Sequence, residues 1–215
     1  MPTLRPLTHP PRHHFFGYYG HPAWNRAQTR HLALETTSPE RRPEPADRAR
    51  VGLVDVETGR FEALAETAAF NLQQGAMLHW IDAGHGEEFV YNAWLADGTL
   101  GACALNPATG RTRELRGAIG AVGARGTVAL GLDRARSFHI RAVTGYACGP
   151  EHFRGPCPED DGLFRINLRT GASTLVLPMP KLLSAAPQEG EPESMWIDHV
   201  HLNPSGTRAL LVFRM

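Results

Sequence analysis

Two short phrases recur along this chain, and their spacing constrains the fold more than any other feature of the sequence. The first begins at Asn25 (Asn-Arg-Ala-Gln-Thr-Arg) and returns at Asn203 (Asn-Pro-Ser-Gly-Thr-Arg), each time just before an apolar run. The second ends in Thr-Gly and occurs at 54–59, 105–110 and 166–171. Both phrases are typical of a polar turn between strands. Self-similarity at roughly 50–60 residues predicts an array of small sheets, as in a β-propeller.

The composition is that of a globular chain without a dominant charge. Its 215 residues suffice for one large domain or two small ones, and 42% of them are apolar against 20% charged. The 22 basic and 22 acidic residues give a formal net charge of zero. This balance argues against a general nucleic-acid binder, because such a protein needs a basic face to neutralise phosphates.

The sequence indicates a cytoplasmic protein without a membrane span. No stretch approaches the ~18 apolar residues of a membrane helix. The three cysteines, Cys103, Cys148 and Cys157, lack the spacing of a metal site. Cys148 and Cys157 could pair across the loop at 149–156, but free thiols in a reducing compartment are the favoured interpretation.

We predict an all-β fold of about three and a half four-stranded antiparallel blades, which form an incomplete β-propeller ring. In the third blade, strands are expected at Val128–Leu132 and near His139–Arg141. The predicted blades cover approximately residues 13–66, 70–118 and 120–180, with the start of a further blade at 195–215.

Three and a half sheets cannot close a ring, and an open propeller exposes strand edges. The chain is therefore expected to be part of a longer propeller, or a half that a second copy completes. An open solenoid, whose sheets still need neighbours, is a third arrangement. Of the first two, part of a longer propeller is favoured.

Residues that could carry chemistry are expected near the start of each first strand, because propellers bind ligands at the mouth of the central channel. His14, Tyr18 and Tyr19 precede the first sheet. A histidine exchanges protons near neutral pH, a tyrosine can donate to a leaving oxygen, and aromatic rings stack on sugars. The alternative is that these rings pack between adjacent sheets with their polar atoms satisfied.

Two further groups occupy similar positions in later sheets. Gln73, Gln74 and His79 surround the start of the second sheet, where they could bind substrate hydroxyls or enter a metal shell. His199 and His201 lie two residues apart on a predicted strand, so alternation places both rings on one face. In each case the alternative is a structural role within the loop or the core.

Four phrases together resemble a bacterial family of seven-bladed propellers related to the TolB-like propellers and to oligogalacturonate lyase. They span nearly the whole chain, which is similar to the N-terminal half of that family. One position departs from the pattern, because Gly20 stands where relatives have Asp after Gly-Tyr-Tyr, and a carboxylate role there would be lost. The phrases lie at 13–19, 70–80, 158–162 and 199–208.

The resemblance implies a uronate oligosaccharide or polysaccharide lyase that acts by β-elimination. His14 or Tyr18 would then serve as base or acid, and Arg141 beside Tyr146 would neutralise the carboxylate. A glycan is the implied partner, with neither nucleic acid nor a membrane. The alternative is a non-catalytic propeller that binds a glycan or a protein. The implied ligands of a divalent metal such as Mn²⁺ are Gln74, His199 and His201.

Overall fold

The computed structural model describes residues 4–18, 22–185 and 195–214, and strands predominate in this part of the chain. The first sheet contains β1 (His13–Phe15), β2 (Arg30–Thr36), β3 (Ala49–Asp55) and β4 (Phe61–Thr67). The second contains β5 (His79–Ile81), β6 (Glu88–Trp94), β7 (Leu100–Leu105) and β8 (Thr112–Leu115). The third contains β9 (Ile119–Val122), β10 (Val128–Gly131), β11 (Gly162–Asn167) and β12 (Ser173–Pro178). The fourth contains β13 (Trp196–Leu202) and β14 (Ala209–Arg214).

Helices are few and short. They are α1 (Arg134–Ile140), α2 (Met179–Ala185) and a single 3-10 turn at Pro150–His152. No helix among the residues that the structure describes is long and apolar enough to cross a membrane.

Each of the three complete sheets is an antiparallel meander whose four strands follow one another in chain order. The fourth sheet has two strands among the described residues. The prediction of consecutive four-stranded antiparallel sheets in a mostly β chain is therefore confirmed. Within the described ranges the sheets do not close into a ring.

The repeated phrases form the same turns in different sheets. The Asn25 side-chain oxygen accepts from the backbone N–H groups of Thr29 at 2.9 Å and Arg30 at 3.0 Å. Asn203 makes the equivalent bonds at 2.9 and 3.0 Å. In the Thr-Gly turns, the glycine has a positive φ of 69°, 69° and 79° in the three sheets and donates to the carbonyl four residues earlier. Glycine adopts this conformation without steric cost, which explains its recurrence at that position.

The prediction for the third sheet was wrong in its strand assignment. The segment near His139–Arg141 is not a strand, because α1 ends there and the backbone N–H of Arg141 donates to the Ser137 carbonyl. The first strand of this sheet is β9, and the second is β10. The Asp133 side chain accepts from the Arg136 N–H and starts the helix.

The sheets stack face to face because their strands alternate between two buried surfaces. On β6, Phe89 and Tyr91 pack against Leu32 and Leu34 of the first sheet. Val90, which lies between them in sequence, packs toward the third sheet. A third cluster joins the third sheet to β13. Three apolar interfaces thus connect four successive sheets.

A long insertion between β10 and β11 is fastened to the sheets by a buried ion pair. Arg136 Nε lies 2.5 Å from Asp161 Oδ2, and both side chains are buried. Arg136 Nη1 also donates to the carbonyl of Met195, just before β13, at 2.7 Å. Cys148 and Cys157, both in this insertion, are free thiols. The insertion therefore connects the third sheet to the fourth.

Candidate functional site

The first strands of the second, third and fourth sheets end around one cleft of about 960 Å³. Its walls are the ends of β5, β9 and β13 and the turns that follow them. Of the residues predicted from sequence, His79 and His201 both line this cleft. Arg26 and Trp80 are also in its wall. The stacking of successive sheets is what brings these residues, which are far apart in the chain, to one place.

His79 is buried at the wall of the cleft and is held by its own loop. Its Nδ1 lies 2.9 Å from the carbonyl oxygen of Met77. Because a carbonyl can only accept, the proton is on Nδ1 and Nε2 carries the lone pair. Burial lowers the pKa of His79 to about 4, so the ring is neutral at pH 7.

Unpaired charges of both signs surround the cleft. Within the described part of the chain, no hydrogen bond or ion pair engages the side chains of Arg26, Asp82 and Glu87. Among the described residues, Arg125 donates only to the Ser205 carbonyl, at 3.3 Å. Guanidinium groups bind carboxylates with two parallel hydrogen bonds, and carboxylates accept from hydroxyls. The cleft therefore offers complementary groups for a ligand that carries both acid and hydroxyl functions.

A second arrangement joins opposite ends of the chain. The Tyr18 hydroxyl lies 3.4 Å from His199 Nδ1, and the two rings stack with centroids 5.6 Å apart. The other imidazole nitrogen, Nε2, lies 3.3 Å from Asp198 Oδ2, and Asp198 is buried. A carboxylate, an imidazole and a phenol thus form a chain of contacts suited to proton transfer.

His199 and His201 have different surroundings. The pairing of β13 with β14 shifts register between Asp198 and His201, and His199 has a positive φ of 45°. His199 stacks on Tyr18, whereas His201 is one of the residues that line the cleft. Simple strand alternation, which the sequence prediction assumed, does not hold through this irregularity.

The loop before β5 places Gln74 in the interior and leaves Gln73 exposed. Asn71 Oδ1 accepts from the backbone N–H groups of Gln73 at 3.0 Å and Gln74 at 2.6 Å. The buried Gln74 Oε1 has no hydrogen-bond partner among the described residues. Gly17, with φ of +125°, passes so close that a Cβ there would lie 2.5 Å from the Gln74 carbonyl oxygen. The segment that carries Tyr18 therefore packs directly on this loop.

His14 belongs to a row of cross-strand contacts on the first sheet. Its Nε2 lies 3.1 Å from Glu35 Oε2, and Arg50 Nη1 lies 2.6 Å from Glu35 Oε1. The His14 ring also packs on Phe61, with centroids 4.8 Å apart. These contacts hold the His14 ring on the first sheet, whereas its buried Nδ1 has no hydrogen-bond partner among the described residues.

Arg141 and Tyr146, predicted as catalytic neighbours, lie in different environments. Arg141 is exposed at the end of α1, with its guanidinium carbon 6.0 Å from the centroid of the Trp196 ring. Tyr146 is 0% exposed, and its hydroxyl accepts from Asn92 Nδ2 at 2.8 Å. Burial raises the pKa of Tyr146. Its hydroxyl is therefore placed to hold the fold rather than to meet a substrate.

The predicted divalent-metal ligands are two histidines and one amide. No group of three or more His, Cys, Asp or Glu side chains in the described ranges is arranged to hold an ion. Structural and catalytic zinc-type sites need at least three protein ligands. The assignment of Gln74, His199 and His201 to a divalent metal stays a prediction.

One predicted residue lies outside the described part of the chain, and one buried residue was not predicted. Tyr19, predicted to bind substrate, is outside the described residues. Asn92 was not predicted from the sequence. It is the single amide within the buried strand β6, and that isolated polar residue could have indicated a structural hydrogen-bonding role. Strict strand alternation would place the side chain of Asp198 on the face opposite that of His199. The backbone irregularity at His199 is what allows their contact.

No protein-family model matches this chain, and a search of the curated proteins finds no match either.

Proposed function

We propose that these sheets form an arc of a β-propeller whose first strands wall a binding cleft for an acidic oligosaccharide. The propeller assignment is supported by three four-stranded antiparallel meanders and a two-stranded sheet that stack face to face, with the first strands of the second, third and fourth sheets at one cleft. A resemblance to the oligogalacturonate lyase-related propellers, on the phrases quoted above, is consistent with this proposal.

The unpaired charges around the cleft support a ligand that is an acidic sugar. Arg26 and Arg125 are available to a sugar carboxylate, while Asp82 and Glu87 can accept from its hydroxyls. Trp80 contributes part of its indole ring to the cleft wall. The indole Nε1–H donates a hydrogen bond to the Ala23 carbonyl at 2.9 Å. The indole presents apolar area, which suits the C–H surface of a sugar ring.

Calorimetric titration of the full chain with trigalacturonate tests the binding proposal, with maltotriose as the neutral control. We expect saturable binding of the acidic sugar only. Arg26→Ser and Arg125→Ser should each weaken it by roughly tenfold, about 1.4 kcal/mol. Arg165→Ser, at an exposed position of β11 away from the cleft, is the matched control. Equal binding of both sugars, or no binding of either, would refute the proposal.

A second candidate, β-elimination on a uronate that binds beside Tyr18 and His199 and outside the cleft, is favoured by the contact between these two side chains. In this scheme Tyr18 passes its hydroxyl proton to His199 and then removes the sugar proton next to the carboxylate. The bond to the leaving oxygen breaks, a carbon–carbon double bond forms, and the imidazolium of His199 protonates the leaving oxygen. Arg141 remains the candidate partner of the carboxylate, because it packs on Trp196 of the same strand as His199.

The elimination creates an unsaturated product that absorbs ultraviolet light, which makes the test direct. Incubation of the full chain with oligogalacturonides should raise this absorbance. Tyr18→Phe and His199→Ala should each abolish the increase, whereas His85→Ala, an exposed histidine on another turn, should not. Binding in the calorimeter with no absorbance change in the wild type would leave the chain as a binding module and remove the lyase.

A further inference from the structure

Four turns surround the cleft, and each of them leads into the second strand of its sheet. Every one of these turns contributes residues to the cleft wall. Because neighbouring sheets stack face to face about 10 Å apart, the turns follow one another around the cleft in chain order. From the first sheet to the fourth, the turns are residues 25–29, 82–87, 123–127 and 203–207.

Contacts between neighbouring turns fix this order. The hydrogen bond from Trp80 to the segment before the first turn brings the second sheet to the first. The third turn lies against the second, because a Cβ on Gly126 would overlap the backbone nitrogen of Asp82. The third turn also reaches the fourth, since Arg125 Nη2 donates to the Ser205 carbonyl at 3.3 Å. The side chains of the four turns therefore project around one continuous rim.

The charges on this rim alternate in sign from sheet to sheet. The first turn carries Arg26, the second carries Asp82 and Glu87, and the third carries Arg125, whereas the fourth has no charged residue. All four of these charged residues are exposed. Although turns of opposite charge are neighbours, no ion pair joins them among the residues that the structure describes. The rim therefore presents positive, negative and positive charge, in that order, to a ligand in the cleft.

We propose, on the basis of the proposed function, that the acidic oligosaccharide of the cleft is an alternating chain in which an amino sugar with a free ammonium group lies between two uronic acids. The two carboxylates then meet Arg26 and Arg125, and the ammonium group meets Asp82 and Glu87. A chain of uronic acids alone places its central carboxylate beside Asp82 and Glu87, where like charges repel. The acidic second turn thus selects for the central sugar.

Calorimetric titration of the full chain with two matched trisaccharides tests this assignment. Both are chains of uronate, glucosamine and uronate, and in one of them the amine is N-acetylated. The acetyl group removes the positive charge of the central sugar and leaves both carboxylates in place. We expect the free-amine form to bind about fivefold more tightly at low salt, because its ammonium group gains two exposed carboxylate partners. Added salt should reduce this ratio, since exposed charges are screened.

Variants of the second turn should remove the preference without loss of the fold, because the substituted side chains are exposed. Asp82→Asn combined with Glu87→Gln should bind the two trisaccharides about equally. The matched control is Glu57→Gln, which removes an exposed carboxylate from the Thr-Gly turn of the first sheet, outside the cleft wall. This control should keep the ratio of the wild type.

Equal binding of the two trisaccharides by the wild type at low salt would overturn the inference, as would a preference for the N-acetylated form. A preference for the free amine that persists in the double variant would also overturn it. If trigalacturonate binds while the two trisaccharides bind equally or not at all, only the alternating chain is refuted. If neither trigalacturonate nor either trisaccharide binds, the cleft is not a site for acidic sugars and the proposed function fails as well.

Discussion

The His79 ring is buried, and it also forms part of the cleft wall. Burial lowers its pKa to about 4 in the folded protein, from an ordinary histidine pKa of 6.5. Between these values the unfolded chain binds more protons than the native chain, so stability falls as the pH falls. The full loss is about 3 kcal/mol below pH 4, and none is expected above about pH 7.

Urea unfolding near pH 7 and at about pH 4.5 measures this effect. We expect His79→Asn, which keeps a donor for the Met77 carbonyl, to reduce the pH dependence by about 2–3 kcal/mol. His85→Asn, at an exposed histidine, should leave it unchanged. A pH dependence in His79→Asn equal to that of the wild type would show that His79 is not buried as a neutral ring.

The side-chain amide of Asn92 links the second sheet to the third sheet by hydrogen bonds. Its amide accepts from Ile119 N–H at 2.6 Å and donates to the Ile119 carbonyl at 2.9 Å and to the Tyr146 hydroxyl at 2.8 Å. Asn92→Ala leaves three buried polar groups unpaired and should lower the free energy of unfolding by about 3–5 kcal/mol. Tyr146→Phe removes one partner and should cost about 1 kcal/mol. Urea unfolding measures the loss of stability in each variant. Equal losses in the two variants would contradict the prediction.

At the scale of the elements, the insertion after β10 depends on the pair between Arg136 and Asp161. Removing either charge leaves the other buried without a partner, so Arg136→Met and Asp161→Leu should each cost about 3–5 kcal/mol. The double variant should cost much less than the two losses together, because no uncompensated charge remains. Additive losses in a double-mutant cycle would show that the pair does not hold the insertion.

The same elements show how far the sequence predicts the structure. The Asn25, Asn203 and Thr-Gly turns were predictable because each is closed by a local hydrogen bond and a local backbone conformation. The insertion with α1 was not, because its position depends on contacts such as Arg136 with Met195, which lie far apart in the chain. The resemblance implied a catalytic place for Tyr146 beside Arg141, whereas in the structure its buried hydroxyl accepts from Asn92 in another sheet.

At the scale of the whole molecule, the candidate site exists only because the sheets stack in order. His79 and His201 belong to the first strands of the second and fourth sheets and meet at one cleft. The positions of the histidines in the sequence predicted that these strands contribute to a site. They could not show that His201 lines the same cleft as His79, while His199 contacts Tyr18. That division follows from the irregularity in β13.

The most direct test of the cleft is an NMR titration of the histidine side chains with trigalacturonate. We predict that the imidazole resonances of His79 and His201 shift together along one saturable curve, while those of exposed His9 and His85 do not move. Saturable shifts confined to other histidines, or shifts of His79 and His201 with different saturation points, would contradict a shared cleft as the binding site.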